Sequence, residues 1–261
     1  MPYTHVDCFS GPGGFCTGLH AAGFETKVAI EYIKSCVDTY SANHPEVHVI
    51  HSDIREVTAD QILPYIPKEG IDLVTSGMPC ETFSTAGNSS RAAYDDRQFL
   101  FREGIRIAQI VKAKMILFEN VPNIQNKRIA KDSKELVIDY LKKELEEAGY
   151  GNFKEFVLDA SKYGVPQKRK RFFVLGILGG NDGFATEWLD NHQTKKETTI
   201  RDYFGSNVLG FEYYYRHPRN YNRRAIYSID EPAPTMRGVN RPVPKGYPGH
   251  LLDPHPVDET V

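Results

Sequence analysis

Ile71-Asp72-Leu73-Val74-Thr75-Ser76-Gly77-Met78-Pro79-Cys80 is the stretch that decides the fold. Its first six residues have the length and β-branched content of a buried strand. Gly77 and Pro79 stop regular structure, which predicts Cys80 on a loop just past the strand's carboxyl end. In open α/β sheets, ligands bind at that edge. Taken alone, a free cysteine is more often a small buried hydrophobe. The surrounding sequence has to decide.

Working outward, strand and helix patterns alternate. Strands are expected at His5–Phe9, Thr26–Ile30, Val47–His51, Ile71–Ser76, Met115–Phe118, Phe153–Leu158 and Arg171–Leu178. Helices are expected at Phe15–Ala22, Ser35–Asn43, after a Thr58/Gln61 capping box, at Phe99–Val111, and from Asp132 to Ala148. This alternation predicts an α/β fold with a doubly wound, mostly parallel sheet. After Gly179-Gly180 the helical periodicity fades, and proline, tyrosine and arginine increase. The expected division is a cofactor-binding catalytic domain over 1–179 and a small, irregular lobe over 180–261.

The 261 residues carry four cysteines, Cys8, Cys16, Cys36 and Cys80. No C-x-x-C pair or disulfide-scaffold density is present, so a reducing cytoplasm is expected and no metal site. No leader or membrane-crossing apolar run is read. The net charge of −2 points to no partner, but its distribution is uneven. Ser161–Arg224 holds 12 Lys/Arg against 6 Asp/Glu, and includes Tyr213, Tyr214, Tyr215 and Tyr221. Such a basic, aromatic region suits a phosphate backbone. A solvated loop region with scattered charge has the same composition.

The first strands end in a series: Phe9 with the turn Ser10-Gly11-Pro12-Gly13-Gly14, then Glu31, then Asp53, then Gly77–Cys80. In a parallel sheet all of these share one edge. Glycines let backbone approach a ligand closely, and an acid about twenty residues on accepts hydrogen bonds from ribose hydroxyls. Glu31 fits that role, and Asp53 suits an exocyclic adenine amine. A nucleoside-containing cofactor follows. The turn is not G-x-G-x-x-G, so a dinucleotide fits imperfectly. S-adenosylmethionine, which has no pyrophosphate, needs less of a helix N-terminus. A plain tight turn with ordinary strand-end acids is the remaining reading.

The motifs resemble those of the DNA (cytosine-5) methyltransferases. Asp7-Cys8-Phe9-Ser10-Gly11-Pro12-Gly13-Gly14 is similar to the family's first motif, and Gly77-Met78-Pro79-Cys80 to its Pro-Cys motif. Glu119-Asn120-Val121 is its Glu-Asn-Val motif unaltered, and Gln167-Lys168-Arg169-Lys170-Arg171 matches Gln-x-Arg-x-Arg. The four arrive in family order. Pro232-Ala233-Pro234-Thr235 is a softer likeness to the segment that closes the recognition region. Glu81 stands where the family usually has Gln, and Ala113 where a proline is frequent.

The resemblance implies a Rossmann-like methyltransferase using S-adenosylmethionine and acting on duplex DNA through a DNA-recognition lobe. It implies Cys80 as nucleophile, Glu119 as the acid at cytosine nitrogen 3, and Arg169 and Arg171 holding the base or a flanking phosphate. The strand alternation expected here puts both arginines on one face. Phe9, Gly11, Gly13, Gly14, Glu31, Tyr32, Asp53, Ile54 and Pro79 would surround the cofactor, with Tyr32 against adenine. Ser84, Gln167 and Thr235 would contact DNA. The loop Thr82–Arg97 would close over the substrate as a lid. A buried structural carboxylate is the plain reading of Glu119, and a solvated charge run that of Lys168–Arg171.

Three other functions compete with this one. A transfer-RNA cytosine-5 methyltransferase shares the motifs. An inactive regulatory homologue would lack Pro-Cys or Glu-Asn-Val, which this chain keeps. A dehydrogenase would want the dinucleotide glycine spacing. The family pattern normally continues past Pro-Ala-Pro-Thr with a bracing helix and a final helix. Here a proline-rich stretch leads to Val261. The expectation is therefore a truncated sequence, or a second polypeptide that supplies the missing part.

Overall fold

The computed structural model describes residues 2–79, 96–130, 133–179, 187–205, 209–218, 223–235 and 249–253. Along the chain these form β1 (Tyr3–Cys8), α1 (Gly14–Ala21), β2 (Phe24–Glu31), α2 (Lys34–Asn43), β3 (His48–His51), α3 (Ala59–Ile62), β4 (Leu73–Ser76), α4 (Phe101–Ile110), β5 (Met115–Asn120), α5 (Val137–Glu147) and β6 (Asn152–Asp159). Then come β7 (Gln167–Lys168), β8 (Lys170–Ile177), α6 (Glu187–Asn191), α7 (Ile200–Phe204), β9 (Tyr213–Tyr215), β10 (Ile226–Ser228) and β11 (Ala233–Pro234).

The chain divides into two units. The first is Met1–Val157 with Arg171–Ala185, and the second is Leu158–Lys170 with Thr186–Val261. The Gln-x-Arg segment up to Lys170 thus belongs to the second unit, although it precedes residue 180. The excursion is bound there by its own backbone: Lys162 O accepts from Thr194 N, Ser161 O from Thr198 N, and Pro166 O from Ala233 N.

The first unit is built on a seven-stranded sheet of order β3-β2-β1-β4-β5-β8-β6. β1 pairs in parallel with β2 and β4, β2 with β3, and β4 with β5. β8 runs antiparallel to β5, which makes the sheet mixed at that end. Strand order reverses between β1 and β4, the switch point at which open α/β sheets bind ligands. Val6, Val28, Ile30, Val74, Ile116 and Phe118 are buried from the strands, as continuous apolar runs in a sheet covered on both faces require. α4 and α5 add Phe101, Ile105, Ile107, Leu141 and Leu145 to the same core.

α4 lies close against β4 because residue 104 is glycine. A Cβ there would stand 2.7 Å from Ser76 Oγ and 3.2 Å from the Phe118 ring. The Thr58 cap forms as expected, with Thr58 N donating to Gln61 Oε1 at 2.8 Å.

The helix expected from Asp132 starts later, at Val137. Ile129 N donates to Glu135 O and Val137 N to Lys127 O. This ribbon keeps Leu136 extended, so tertiary pairing overrides the local helical pattern there. Asp132 itself lies outside the described residues. In the second unit, β9 and β10 pair antiparallel, and β7 pairs in parallel with β11. Among the described residues no helix is long and apolar enough to cross a membrane.

Candidate active site

β1 delivers the chain to the sheet edge with an unusual backbone. Phe9 has φ 56, a left-handed conformation that a non-glycine residue adopts at a cost. The turn that follows folds back toward β2, and Glu31 holds it. Glu31 Oε2 accepts from Gly11 N at 2.8 Å, and Oε1 from Ile33 N at 2.7 Å. Each carboxylate oxygen keeps a further lone pair for a ligand hydroxyl. Gly13, with φ 99, closes the turn, and a Cβ there would strike the His44 ring at 2.9 Å.

Beside this turn lies a cleft of ≈ 560 Å³. Phe9, Glu31, Tyr32, Asp53, Ile54 and Pro79, all expected around a cofactor, line it. Gly11 reaches the cleft through Glu31, whereas Gly13 and Gly14 shape the turn. Asp53 is engaged by Arg55, whose Nε lies 3.0 Å from Oδ1 and whose Nη2 lies 2.5 Å from Oδ2. Hydrogen bonding from Arg55 holds the Asp53 carboxyl below the usual range.

The far wall comes from residues not expected at the cofactor: Arg97, which ends the expected lid, and Phe99, Leu100, Arg102 and Glu103 at the start of the α4 region. Nor did the sequence reading single out Arg106 on α4, whose guanidinium donates to the carbonyls of Ile54 at 2.7 Å and Val57 at 2.9 Å. Arg106 thereby fixes the backbone that carries Asp53 and Ile54. An arginine inside the apolar spacing of α4 was its only trace in the sequence.

Cys80 and Ser84 lie outside the described residues, as does most of the expected lid. What precedes Cys80 is tied down. Asn120 is buried, and its Nδ2 donates to Met78 O at 3.4 Å, while its Oδ1 accepts from Val121 N at 2.8 Å. The middle residue of Glu-Asn-Val therefore braces the Pro-Cys segment. Glu119 and Arg171 come together across β5 and β8, with Arg171 Nε 2.6 Å from Glu119 Oε1.

Arg169 is not on a common strand face with Arg171. It falls between β7 and β8 and belongs to the second unit. Its N–H donates to Asp159 Oδ1 at 3.2 Å, and its carbonyl accepts from Ala160 N.

Beneath the edge runs a buried polar chain. Thr75 Oγ1 donates to Asp7 Oδ1 at 2.7 Å, and the Tyr40 hydroxyl donates to Asp7 Oδ2 at 3.4 Å. His5 sits between Thr26 Oγ1 at 2.9 Å and Thr75 Oγ1 at 2.8 Å. Burial pushes the Asp7 carboxyl up to about 7 and the His5 imidazole down to about 3.

In the second unit, Gln167 lies in the small β7–β11 sheet, paired with Ala233, and Thr235 directly follows β11. Thr235 Oγ1 donates to Lys168 O at 2.6 Å, and Arg216 Nη2 donates to Thr235 O at 2.5 Å. The Pro-Ala-Pro-Thr segment thus closes directly on the Gln-x-Arg segment.

The sequence pattern of C-5 cytosine-specific DNA methylases matches residues 3–238. The chain belongs to that family. Type II methyltransferase M.HindV of Haemophilus influenzae is 40% identical over 255 residues, 97% of this chain and 78% of that protein. Type II methyltransferase M.HgiDI of Herpetosiphon aurantiacus is 36% identical over 249 residues, 95% of this chain and 75% of that protein.

Two solved structures share the fold at 23% identity. A putative DNA modification methyltransferase from an E. coli prophage superposes with a TM-score of 0.62, covering 83% of this chain and 58% of that one. The S. pombe Dnmt2 methyltransferase gives 0.58, covering 77% and 60%. As a C-5 cytosine-specific DNA methylase, the chain is an enzyme that transfers methyl groups to cytosine in DNA, and its fold is the Rossmann-like methyltransferase fold.

The family depends in general on S-adenosylmethionine, and the cleft fits an adenosine-bearing ligand. Phe9, Ile54, Phe99 and Leu100 offer apolar walls for a base, and Glu31 offers acceptors for two ribose hydroxyls. Ser10 Oγ, buried beside the glycine turn, has no hydrogen-bond partner among the described residues. A ligand's polar group would supply one.

Proposed function

We propose that the chain methylates carbon 5 of a cytosine within a specific duplex DNA sequence, as the modification arm of a restriction–modification pair. The observation that carries this reading is the convergence at one sheet edge. Pro79 lines the cofactor cleft, and Cys80 follows it in the chain. Asn120 holds the Met78 carbonyl, and the adjacent Glu119 pairs with Arg171. The naming of two relatives as type II methyltransferases supports the restriction–modification setting.

Carbon 5 of cytosine is a poor nucleophile. The Cys80 thiolate adds to carbon 6, forming a C–S bond and making the ring an enamine. Glu119 hydrogen-bonds nitrogen 3 and supports the developing charge, with Arg171 orienting its carboxylate. After alkylation at carbon 5, loss of the carbon-5 proton expels the thiolate and restores the ring. S-Adenosylmethionine, when bound, supplies an electrophilic methyl group. Glu31 would hold its ribose, Tyr32 and Ile54 would flank its adenine, and Asp53 would accept from the exocyclic amine.

A cytosine in a duplex must leave the stack to reach such a site. Ser84, Gln167, Arg169 and Thr235, with the basic stretch 161–224, serve the DNA. The proposed organisation is a catalytic domain over 1–179 and a target-recognition lobe over 180–261, with the 158–170 excursion working with the lobe. A DNA substrate and the free thiols of Cys8, Cys16 and Cys36 agree with a cytoplasmic enzyme.

Bisulfite sequencing of DNA from a methylation-free host expressing the chain tests activity and target together. It is run with the chain alone and with the polypeptide encoded downstream, which also tests the second-polypeptide reading. A purified-component assay on duplex DNA and on transfer RNA separates the two substrates. Transfer to transfer RNA alone, or no 5-methylcytosine in either expression arm, overturns the proposal.

A further inference from the structure

Outside the catalytic edge, α1 and the segment after α2 bring together three side chains of metal-binding type. Cys16 and His20 are four residues apart and so share one face of α1. His44 arrives from the C-cap of α2. One ligand atom from each lies within 4.8 Å of the others. Cys16 Sγ is 3.6 Å from His20 Nε2. Bonds of about 2.3 Å to sulfur and about 2.0–2.1 Å to nitrogen, at tetrahedral angles, place the two ligand atoms about 3.6 Å apart.

Behind the rings stands Glu46. Its Oε1 is 3.5 Å from His20 Nδ1 and 3.9 Å from His44 Nδ1. Histidine ligands commonly donate their second N–H to such a carboxylate, which fixes tautomer and ring orientation.

We propose that Cys16, His20 and His44 form a binding site for a divalent transition-metal ion, best matched by zinc, with Glu46 orienting the imidazoles. One thiolate and two imidazoles suit a borderline-soft ion, and oxygen-loving magnesium or calcium is excluded by the donor set. The charges also balance, because a thiolate and the Glu46 carboxylate offset a divalent cation in a largely buried place. Cys16 is fully buried and His44 nearly so, whereas His20 and Glu46 line a surface hollow of ≈ 600 Å³ that admits the ion. Binding replaces the Cys16 S–H proton by the metal and releases it to solvent. No C-x-x-C or H-x-x-H spacing announces this set, which is why no metal is expected from the residue pattern.

The site would act on the enzyme through its helices. α1 starts at Gly14, directly after the glycine turn, and α2 starts at Lys34, just past Glu31 and Tyr32. An ion joining Cys16 and His20 to His44 fastens together the two helices that directly follow the glycine turn and the Glu31–Ile33 wall of the cofactor cleft. This inference does not depend on the proposed target or mechanism.

The test uses the full chain, stripped with a chelator and titrated with cobalt(II) as a spectroscopic probe, then with zinc. One equivalent per chain is expected, with a thiolate-to-cobalt charge-transfer band, intense visible bands of tetrahedral type and a raised melting temperature. The band should persist in Cys36→Ala and Cys80→Ala and vanish in Cys16→Ala. Glu46→Gln should weaken zinc binding by roughly 10-fold or more.

No stoichiometric binding, or a band that survives Cys16→Ala in a folded protein, overturns the site. Should Cys16→Ala fail to fold, His20→Gln on the partly exposed ring becomes the deciding variant. At least a 10-fold loss of zinc affinity is then required, and an unchanged affinity overturns the site.

Discussion

Arg171 Nε meets Glu119 Oε1 at 2.6 Å across the antiparallel β5–β8 pair of the main sheet. Glu119 is opposite Phe173, so Arg171 reaches it diagonally from two residues along the same face. Both side chains are mostly buried, at 20% and 16% exposure. An acid fixed in this way is oriented before substrate arrives.

Glu119→Gln is expected to slow methyl transfer by roughly 10² or more, the usual scale for a positioned acid. Arg171→Lys keeps the charge but loses the planar fork, and should also slow transfer. Single-turnover rates, measured beside DNA affinity, check both. A rate unchanged in Glu119→Gln would make the pair purely structural.

Cys80→Ser should abolish transfer while cofactor affinity stays within a few-fold, because the nearly isosteric change removes the thiolate and leaves the cleft walls of Phe9, Glu31, Tyr32 and Pro79 unaltered. Tritium transfer and calorimetric titration with S-adenosylmethionine read the two effects separately. Substantial residual transfer refutes the nucleophile assignment.

Glu31→Ala removes the acceptors of Gly11 N and Ile33 N along with those offered to a ribose. Hydrogen bonds to a charged group are each worth about 1.5–3 kcal/mol, so cofactor affinity should fall roughly 10-fold to 100-fold. Calorimetry decides, and an affinity equal to wild type would place the adenosine elsewhere.

Asp7 and His5 pull stability in opposite directions as pH changes. Asp7 titrates near 7 in the folded chain and near its ordinary 3.8 when unfolded, so between those values the folded state holds the extra proton and stability falls as pH rises. His5 titrates near 3 folded and 6.5 unfolded, so between those values the unfolded state holds the extra proton and stability rises with pH. The two nearly cancel between about pH 4 and 6.5. Relative to wild type, Asp7→Asn should gain stability as pH rises from 4 to 7, and His5→Gln should lose it. Urea denaturation across that range measures both, and parallel profiles for all three proteins would contradict the buried-pair assignment.

Much of the cofactor edge was legible because strand ends are local. Phe9, Glu31 and Asp53 follow apolar runs whose period and length are readable, and parallel pairing then aligns them. The braces were not legible, since Asn120 to Met78 and Arg106 to Ile54 join residues 42 and 52 positions apart. The late start of α5 is of the same kind, because pairing of Lys127–Ile129 with Glu135–Val137 overrides a helical pattern. The Cys16–His20 spacing could be read from α1, but nothing in the sequence brings His44 beside them. The membership of 158–170 in the second unit also rests on hydrogen bonds to residues far along the chain.

Gly104 has a bearing on how this protein can vary over generations. It touches no expected ligand, yet a single methyl group there would press on Ser76, the residue from which the chain turns toward Pro79 and Cys80. Drift at this position is therefore opposed by packing, although nothing about its chemistry marks it as functional. A saturation screen of α4 should find residue 104 as intolerant as Glu119, with the failures appearing as lost folding yield and not as an altered reaction.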